Sequence, residues 1–158
     1  MFSGFHHENF SIKADGGAVS RESFFHQFLA TREMDPLDML CQNPDSVFGK
    51  FCTSKYLVVV HPKLEASFFG NLDQRNYIKR GGHPRTPFYQ AFLKLAKSIW
   101  LSHRLAYSFD PNVKVFQDMR GSEFSEVYIE ITCCKNLILG ENDPKPRVGL
   151  MVMPCCWI

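Results

Sequence analysis

The sequence has no long apolar run and no strong excess of either charge. Among its 158 residues, 18 are Lys or Arg and 16 are Asp or Glu, which gives a net charge of +2. A charge this small does not indicate a nucleic-acid surface. The longest apolar candidate, residues 56–60, has five residues, whereas a membrane helix needs about 20. The sequence therefore predicts neither nucleic-acid binding nor a membrane span, and any membrane contact is expected to be peripheral.

The chain also lacks the motifs that mark common catalytic sites. It contains no G-x-x-x-x-G-K-[ST] phosphate loop, no G-x-G-x-x-G after a strand, no H-E-x-x-H and no G-x-S-x-G. Its His and Cys residues do not show the spacing of a zinc site. These absences predict a non-enzymatic protein with no catalytic residue, no metal site and no cofactor.

One enzymatic alternative remains open, a Cys/His site that no known motif describes. Cys52 lies nine residues before His61, but it falls on an apolar helical stripe, where a free cysteine behaves as a small hydrophobic residue. We expect Cys52 to lie in the core, His61 to cap a helix and His103 to lie on a helix surface.

The cysteines do not form the pattern of a disulfide framework. Four of them occur as the adjacent pairs Cys133-Cys134 and Cys155-Cys156, which would close only minimal loops. Residues 1–8 show no basic start or apolar run of a signal peptide. The expected location is a reducing one, the cytoplasm, with the nucleus or the inner face of the plasma membrane as alternatives. The last four residues, 155–158, imitate a prenylation box without a preceding basic cluster, and the sequence leaves lipidation open.

A core-forming composition is present: 45% of the residues are hydrophobic, and fifteen are Phe. The patterns predict a mainly α fold with a small β element, in which residues 1–20 are loosely ordered and residues 21–158 form one domain. Four X-Pro pairs resemble helix starts, with a capping residue followed by proline at the first helical position. They are Asp35-Pro36, Asn43-Pro44, His61-Pro62 and Thr86-Pro87.

The strongest pattern predicts a long central helix from Thr86 to about Tyr107, with apolar residues recurring along one face. The other predicted elements are a short helix Pro62–Phe69 ended by Gly70, a polar loop from Asn71 to Pro84, a strand Val113–Gln117, a helix from Ser122 to about Asn136, and a second strand Val148–Met153.

The candidate binding site is the basic segment within and after that loop. Its residues are Arg75, Tyr77, Lys79, Arg80, His83 and Arg85. Arg side chains and exposed backbone N–H groups around Gly81-Gly82 suit an acidic partner or a phosphate. An ordinary solvated loop is the alternative, and binding to anionic lipid is another.

Four segments together resemble one plant family. They read SKYLVVVHPKLEASFFGNLDQRNY at 54–77, GHPRTPFYQAFLKLAKSIW at 82–100, HRLAYSFDP at 103–111 and VGLMVMP at 148–154. The chain is similar here to the C-terminal domain of the gravitropic-in-the-light and IRK-interacting proteins. It departs from the family at 117–120, 131–134 and 155–156.

The resemblance implies a protein-binding adaptor in plant signalling, with a role in light-dependent gravitropic growth, in the response to red or far-red light, and in binding receptor-like kinases. It implies no catalytic residue. It also implies that the chain is one part of a longer protein, incomplete at its C-terminus. The identity of the partner, the direction of the signal and the oligomeric state are not given by the sequence.

Overall fold

The computed structural model describes residues 1–8, 10, 20–116, 119–125, 147–148 and 155–157 of the chain. Its contacts separate two compact units, Met1–Asn112 and Val113–Ile158. The sequence placed its boundary near residue 20, whereas the structure divides the chain after Asn112.

Six α-helices lie in the described residues of the first unit, and the described part of the second unit holds two short strands. The prediction of a mainly α fold with a small β element is confirmed. None of the described helices is both long enough and apolar enough to cross a membrane. The helices are α1 (Arg21–Arg32), α2 (Pro36–Gln42), α3 (Val47–Val59), α4 (Pro62–Phe69), α5 (Asp73–Lys79) and α6 (Pro87–Ala106).

Three of the four predicted X-Pro helix starts are confirmed. Asp35, His61 and Thr86 each cap a helix whose first residue is proline, and each side chain accepts a hydrogen bond from a backbone N–H of the first turn. The start at Asn43-Pro44 was wrong. α3 begins at Val47, and the Ser46 hydroxyl accepts from the N–H of Gly49 at 3.1 Å.

The predicted long helix is confirmed as α6, and α1, α2 and α3 pack against it. Its inward face carries large side chains, so the core is built mainly from rings. Trp100 lies 5.3 Å from Phe51 between ring centroids, and Tyr89 lies 5.4 Å from Tyr56. The buried residues of α6 are Tyr89, Phe92, Leu93, Ala96, Ile99, Trp100, His103, Arg104 and Ala106.

The predicted polar loop from residue 71 to residue 84 was wrong, because α5 occupies Asp73–Lys79. Gly70 does end α4, in the left-handed conformation with φ of 71°. The buried residues of α5 are Arg75 and Ile78. Because one of the two is charged, the helix lacks the apolar period that a sequence pattern detects.

The prediction of a loosely ordered start does not describe residues 1–8 and 10. Phe5 and Phe10 are only 2% and 5% exposed, and the ring of Phe10 lies 4.5 Å from that of Phe51. The surface position predicted for His103 was also wrong. Its imidazole is fully buried against the rings of Phe5 and Phe10, so an aromatic segment distant in sequence covers this end of α6.

In the second unit, β1 (Lys114–Phe116) pairs antiparallel with β2 (Cys155–Trp157), Val115 facing Cys156. The first predicted strand is confirmed over these three residues. Its partner is not the predicted strand, since Val148 lies outside both strands and 149–153 lie outside the described residues. The predicted helix start at Ser122 was wrong as well: residues 122–125 are not helical, and Glu123 forms an isolated bridge with Arg147. Residues 126–136 lie outside the described part.

Candidate functional site

Arg75 belongs to the interior and not to an exposed basic surface. Its side chain is buried, and its guanidinium donates to the carbonyl oxygens of Val60 at 2.7 Å and Leu57 at 2.9 Å. These carbonyls belong to the C-terminal end of α3, where backbone acceptors lack helical partners. Arg75 therefore caps α3, and its forked donors are already used.

A buried polar network joins Arg75 to helix α4. Glu65 is fully buried; one of its carboxylate oxygens accepts from the Tyr56 hydroxyl at 3.0 Å, and the other lies 3.5 Å from Arg75 Nη1. Gln74 donates to the Tyr56 hydroxyl at 2.6 Å and accepts from the Thr86 hydroxyl. Burial is the main cause that raises the pKa of Tyr56 to about 12, so its proton stays in place. The network ties α3, α4, α5 and the start of α6 together.

Helix α4 consequently turns a carboxylate inward and its apolar side chains outward. Glu65 is its buried residue, whereas Leu64, Phe68 and Phe69 are 46%, 63% and 38% exposed. An amphipathic helix ordinarily buries its apolar stripe. Here the buried carboxylate holds the helix through a hydrogen bond from Tyr56 and an ion pair with Arg75, and the apolar side chains remain partly exposed.

The exposed rings of α4 continue onto the first turn of α6. Phe88 is half-buried, and its ring centroid lies 5.4 Å from Phe69 and 6.3 Å from Phe68. Leu64 lies one helical turn before Phe68. We call Leu64, Phe68, Phe69 and Phe88 the aromatic patch. Contiguous exposed apolar side chains of this kind mark interaction surfaces more often than isolated ones do.

Tyr77, Lys79 and Arg80 occupy the exposed C-terminal turn of α5. Tyr77 is 53% exposed and lies under Gly82, where an added Cβ would come within 2.5 Å of its ring. Gly81 has φ of 85°, which side chains with a Cβ rarely adopt. The two glycines therefore fold the chain back over Tyr77 and leave the Lys79 and Arg80 side chains in solvent.

His83 and Arg85 face a different direction from the end of α5. The Nδ1 of His83 lies 2.7 Å from the buried Tyr89 hydroxyl, and burial lowers the pKa of this imidazole. Arg85 is exposed, with Nη2 lying 3.6 Å from the Sγ of Cys41 on α2. Of the six predicted site residues, Arg75 thus lies in the interior, and partner binding by the other five stays a prediction.

The region from residue 61 to residue 94 is nevertheless electropositive. It contains six Lys or Arg residues and two acidic residues. Since Glu65 and Arg75 pair in the interior, Asp73 is the exposed acid that remains. The exposed cations are Lys63, Lys79, Arg80, Arg85 and Lys94. An excess of exposed positive charge in a region that also carries exposed rings favours an acidic, partly apolar partner.

The structure offers no support for a Cys52 nucleophile. Cys52 is fully buried in α3, as predicted, and burial raises the pKa of its thiol well above the usual range. His61 caps α4, also as predicted, by accepting from the N–H of Lys63 at 3.1 Å. Across the described ranges, no three His, Cys, Asp or Glu residues are placed to hold a metal ion.

Comparison with known proteins identifies a plant relative of the chain. The chain is 44% identical over 137 residues to Protein GRAVITROPIC IN THE LIGHT 1 of Arabidopsis thaliana. The match covers 82% of the chain but 24% of that relative's length. No protein-family model matches the chain, and no solved structure matches it.

Proposed function

The chain belongs to the plant family of GRAVITROPIC IN THE LIGHT 1, as a match to part of that protein, and we propose that it is a non-enzymatic module that binds another protein in gravitropic growth. The relative's name supports the link to gravitropism. The single observation that supports protein binding is the aromatic patch, on a helix whose buried residue is Glu65 and whose rings remain largely exposed.

Aromatic side chains that are exposed before binding and covered after it supply much of the affinity at protein interfaces. Phe68 is the most exposed member of the patch, at 63%. The cations Lys63, Lys79 and Arg80 add attraction for a negatively charged partner and raise its association rate. The proposed partner segment is therefore acidic and carries apolar side chains that cover the patch.

We extend the proposal to the finer role that the family resemblance implies. In this extended proposal, the partner is the intracellular part of a receptor-like kinase, and the growth response depends on light. The module acts inside the cell, in the cytoplasm or against the inner face of the plasma membrane. The described residues support the chemistry of the partner surface, while the kinase and the light response rest on the resemblance.

Affinity capture from plant extract with matched baits tests the proposal. The baits are the unaltered chain, Phe68→Ser in the patch, and Phe25→Ser as control, since Phe25 is 43% exposed on α1 and pairs with Phe28. A partner that the Phe68→Ser bait loses and the Phe25→Ser bait keeps supports the proposal. The purified partner should then bind Phe68→Ser at least about ten-fold more weakly than the unaltered chain. Equal capture by all three baits would remove the patch from the function.

A second arm distinguishes a lipid surface from a protein. The unaltered chain is mixed with vesicles of neutral lipid and with vesicles that contain phosphatidylserine. Salt-sensitive binding to the anionic vesicles only, without a captured protein, would replace the proposal with a peripheral membrane role. The variant with Lys79→Gln, Arg80→Gln and Arg85→Gln should bind with a weaker salt dependence than the unaltered chain, whether the partner is a protein or a lipid, and the difference measures the contribution of these three charges.

A further inference from the structure

Residues 2–8 and Phe10 lie in a cleft between α3 and α6. We call Phe51, Lys55, Trp100, His103 and Arg104 the N-terminal cleft. The rings of the segment fill its apolar part: Phe10 lies 4.5 Å from Phe51, 5.9 Å from Trp100 and 4.1 Å from His103, and Phe5 lies 5.0 Å from His103. Phe5 and Phe10 are the buried side chains among the described residues of the segment.

The polar side chains of the cleft contact the backbone of the segment. Lys55 donates to the carbonyl of Ser3, His103 Nε2 donates to the carbonyl of His7 at 2.9 Å, and Arg104 Nη1 donates to the carbonyl of Glu8 at 3.2 Å. The side chains of Ser3, His7 and Glu8 themselves are exposed. The cleft therefore contacts three backbone carbonyls and two rings of the segment. The side chains of Ser3, His7 and Glu8 take no part in these contacts.

Three N–H groups of the segment donate to carbonyl oxygens of the segment itself, in successive turns. Phe5 donates to Phe2 at 3.0 Å, His7 to Gly4 at 3.0 Å, and Phe10 to His7 at 2.9 Å. Gly4 has φ of 80°, and a Cβ there would lie 2.8 Å from the carbonyl oxygen of Phe10, so this coiled shape requires glycine.

Phe10 stores strain in the bound segment. Its φ is 54°, a left-handed conformation that is unfavourable for a bulky residue and persists only where the surroundings enforce it. The burial of its ring enforces it here. A ligand that reached the same pocket without the strained backbone would have an advantage over the segment.

We propose that the N-terminal cleft is a peptide-recognition site which the chain's own residues 2–8 and 10 occupy in cis. Side-chain donors that hold backbone carbonyls, together with pockets for two spaced side chains, form the general basis of peptide recognition. The ligand that fits in trans is a protein segment with two Phe residues five positions apart, a glycine just before the first, and polar residues between. It binds by displacing residues 2–10, so the cis segment limits its access. This site is separate from the aromatic patch and does not depend on it.

A peptide titration tests the competition. A fluorescein-labelled peptide of residues 1–10 is added to the full chain and to the full chain with Phe5→Ala and Phe10→Ala, and binding is followed by anisotropy. The double variant should bind the peptide at least about ten-fold more tightly than the unaltered chain, because the tethered competitor is weakened. The chain with Phe25→Ala is the control and should behave like the unaltered one. Equal affinity for the double variant and the unaltered chain would overturn the proposal.

A second measurement tests the proposal without the double variant, in case that variant fails to fold. A protease site is inserted between Gly16 and Gly17 of the otherwise unaltered full chain, which is cut only after folding. The labelled peptide should then exchange into the cleft while the helical circular dichroism signal is retained, and a peptide with Ala at both Phe positions should not exchange. If the helical signal is lost as the cut segment leaves, or if no exchange occurs, residues 2–10 are an inseparable part of the core and the proposal fails.

Discussion

Glu65 and Arg75 lie 3.5 Å apart inside the first unit, and they connect the inward face of α4 to the C-terminal end of α3. The carboxylate is fully buried, and the guanidinium holds two backbone carbonyls as well as the acid. Because Glu65 anchors the inward face of α4, the rings of that helix contact Phe88 of α6 and stay largely exposed. The pair is thus the structural condition for an exposed aromatic patch.

Replacing Glu65 by Ala should destabilise the first unit strongly. The change leaves the Arg75 charge buried without its acid and the Tyr56 hydroxyl without its acceptor. Breaking one side of a buried ion pair costs about 3–5 kcal/mol in the free energy of unfolding, which urea titration measures. Asp73→Ala, an exposed acid two residues before Arg75, is the control and should change the free energy by less than about 0.5 kcal/mol. A similar small change for Glu65→Ala would show that the pair does not anchor α4.

Stability should fall as the pH drops from about 6.5 to about 4, through His103. Burial, with a smaller effect from Arg104, lowers the pKa of this imidazole from 6.5 to about 4, although the carbonyl of His7 accepts from it. In this pH range the imidazole binds a proton in the unfolded chain but not in the folded chain. The free energy of unfolding therefore falls by at most about 3 kcal/mol. Well above pH 6.5 the imidazole of His103 is neutral in both the folded and the unfolded chain, so its contribution to the free energy of unfolding is constant.

Urea titrations between pH 7.5 and pH 5 measure this dependence. His103→Gln keeps a donor for the His7 carbonyl and removes the titration, so its free energy of unfolding should fall less steeply with pH than that of the unaltered chain. His26 is exposed on α1, and His26→Gln should keep the original slope. Parallel pH profiles for His103→Gln and the unaltered chain would contradict a buried neutral imidazole.

Gly49→Ala should destabilise α3, against the usual effect of alanine in a helix. A Cβ at this position would lie 1.9 Å from the carbonyl oxygen of Pro44, which belongs to the backbone and cannot rotate away. The expected cost is about 2 kcal/mol or more, instead of the gain of about 1 kcal/mol seen for Gly→Ala in an open helix. Thermal and urea unfolding measure it, with Ser98→Ala on the exposed face of α6 as control. A stabilised Gly49→Ala chain would mean that the Pro44 turn is not held against α3.

Alkylation should distinguish Cys41 from Cys52 in the folded chain. Cys41 is exposed, whereas Cys52 is buried and its thiol pKa lies well above the usual range. Since the thiolate is the reactive form, peptide mapping after brief iodoacetamide treatment at pH 8 should find Cys41 modified far ahead of Cys52. In urea the two cysteines should be alkylated at similar rates. Rapid labelling of Cys52 before unfolding would reopen the Cys/His alternative.

The local signals of the sequence predicted much of the first unit. A cap followed by proline is a property of two adjacent residues. His61-Pro62 and Thr86-Pro87 therefore predicted the starts of α4 and α6 correctly. The helix start predicted at Asn43-Pro44 was wrong because α3 is capped by Ser46, two residues after Pro44. α5 was missed because Arg75, a charged residue, occupies one of its two buried positions.

The candidate site was harder to predict because its parts are joined over long distances. The aromatic patch exists because Glu65, and not Phe68, faces inward, and that choice depends on Arg75 ten residues later. The N-terminal cleft brings His7 to His103 across 96 positions. Apolar periodicity cannot report either pairing, since it describes one helix at a time.

Arg75 also makes the last turn of α3 depend on the packing of α5 against it. The carbonyls of Leu57 and Val60 are satisfied by a side chain that lies 18 and 15 residues further along the chain. Until α5 docks, the last turn of α3 has open acceptors and frays into water. The amides of α3 and α5 should therefore gain protection from hydrogen exchange together, as one cooperative folding unit that also contains α4.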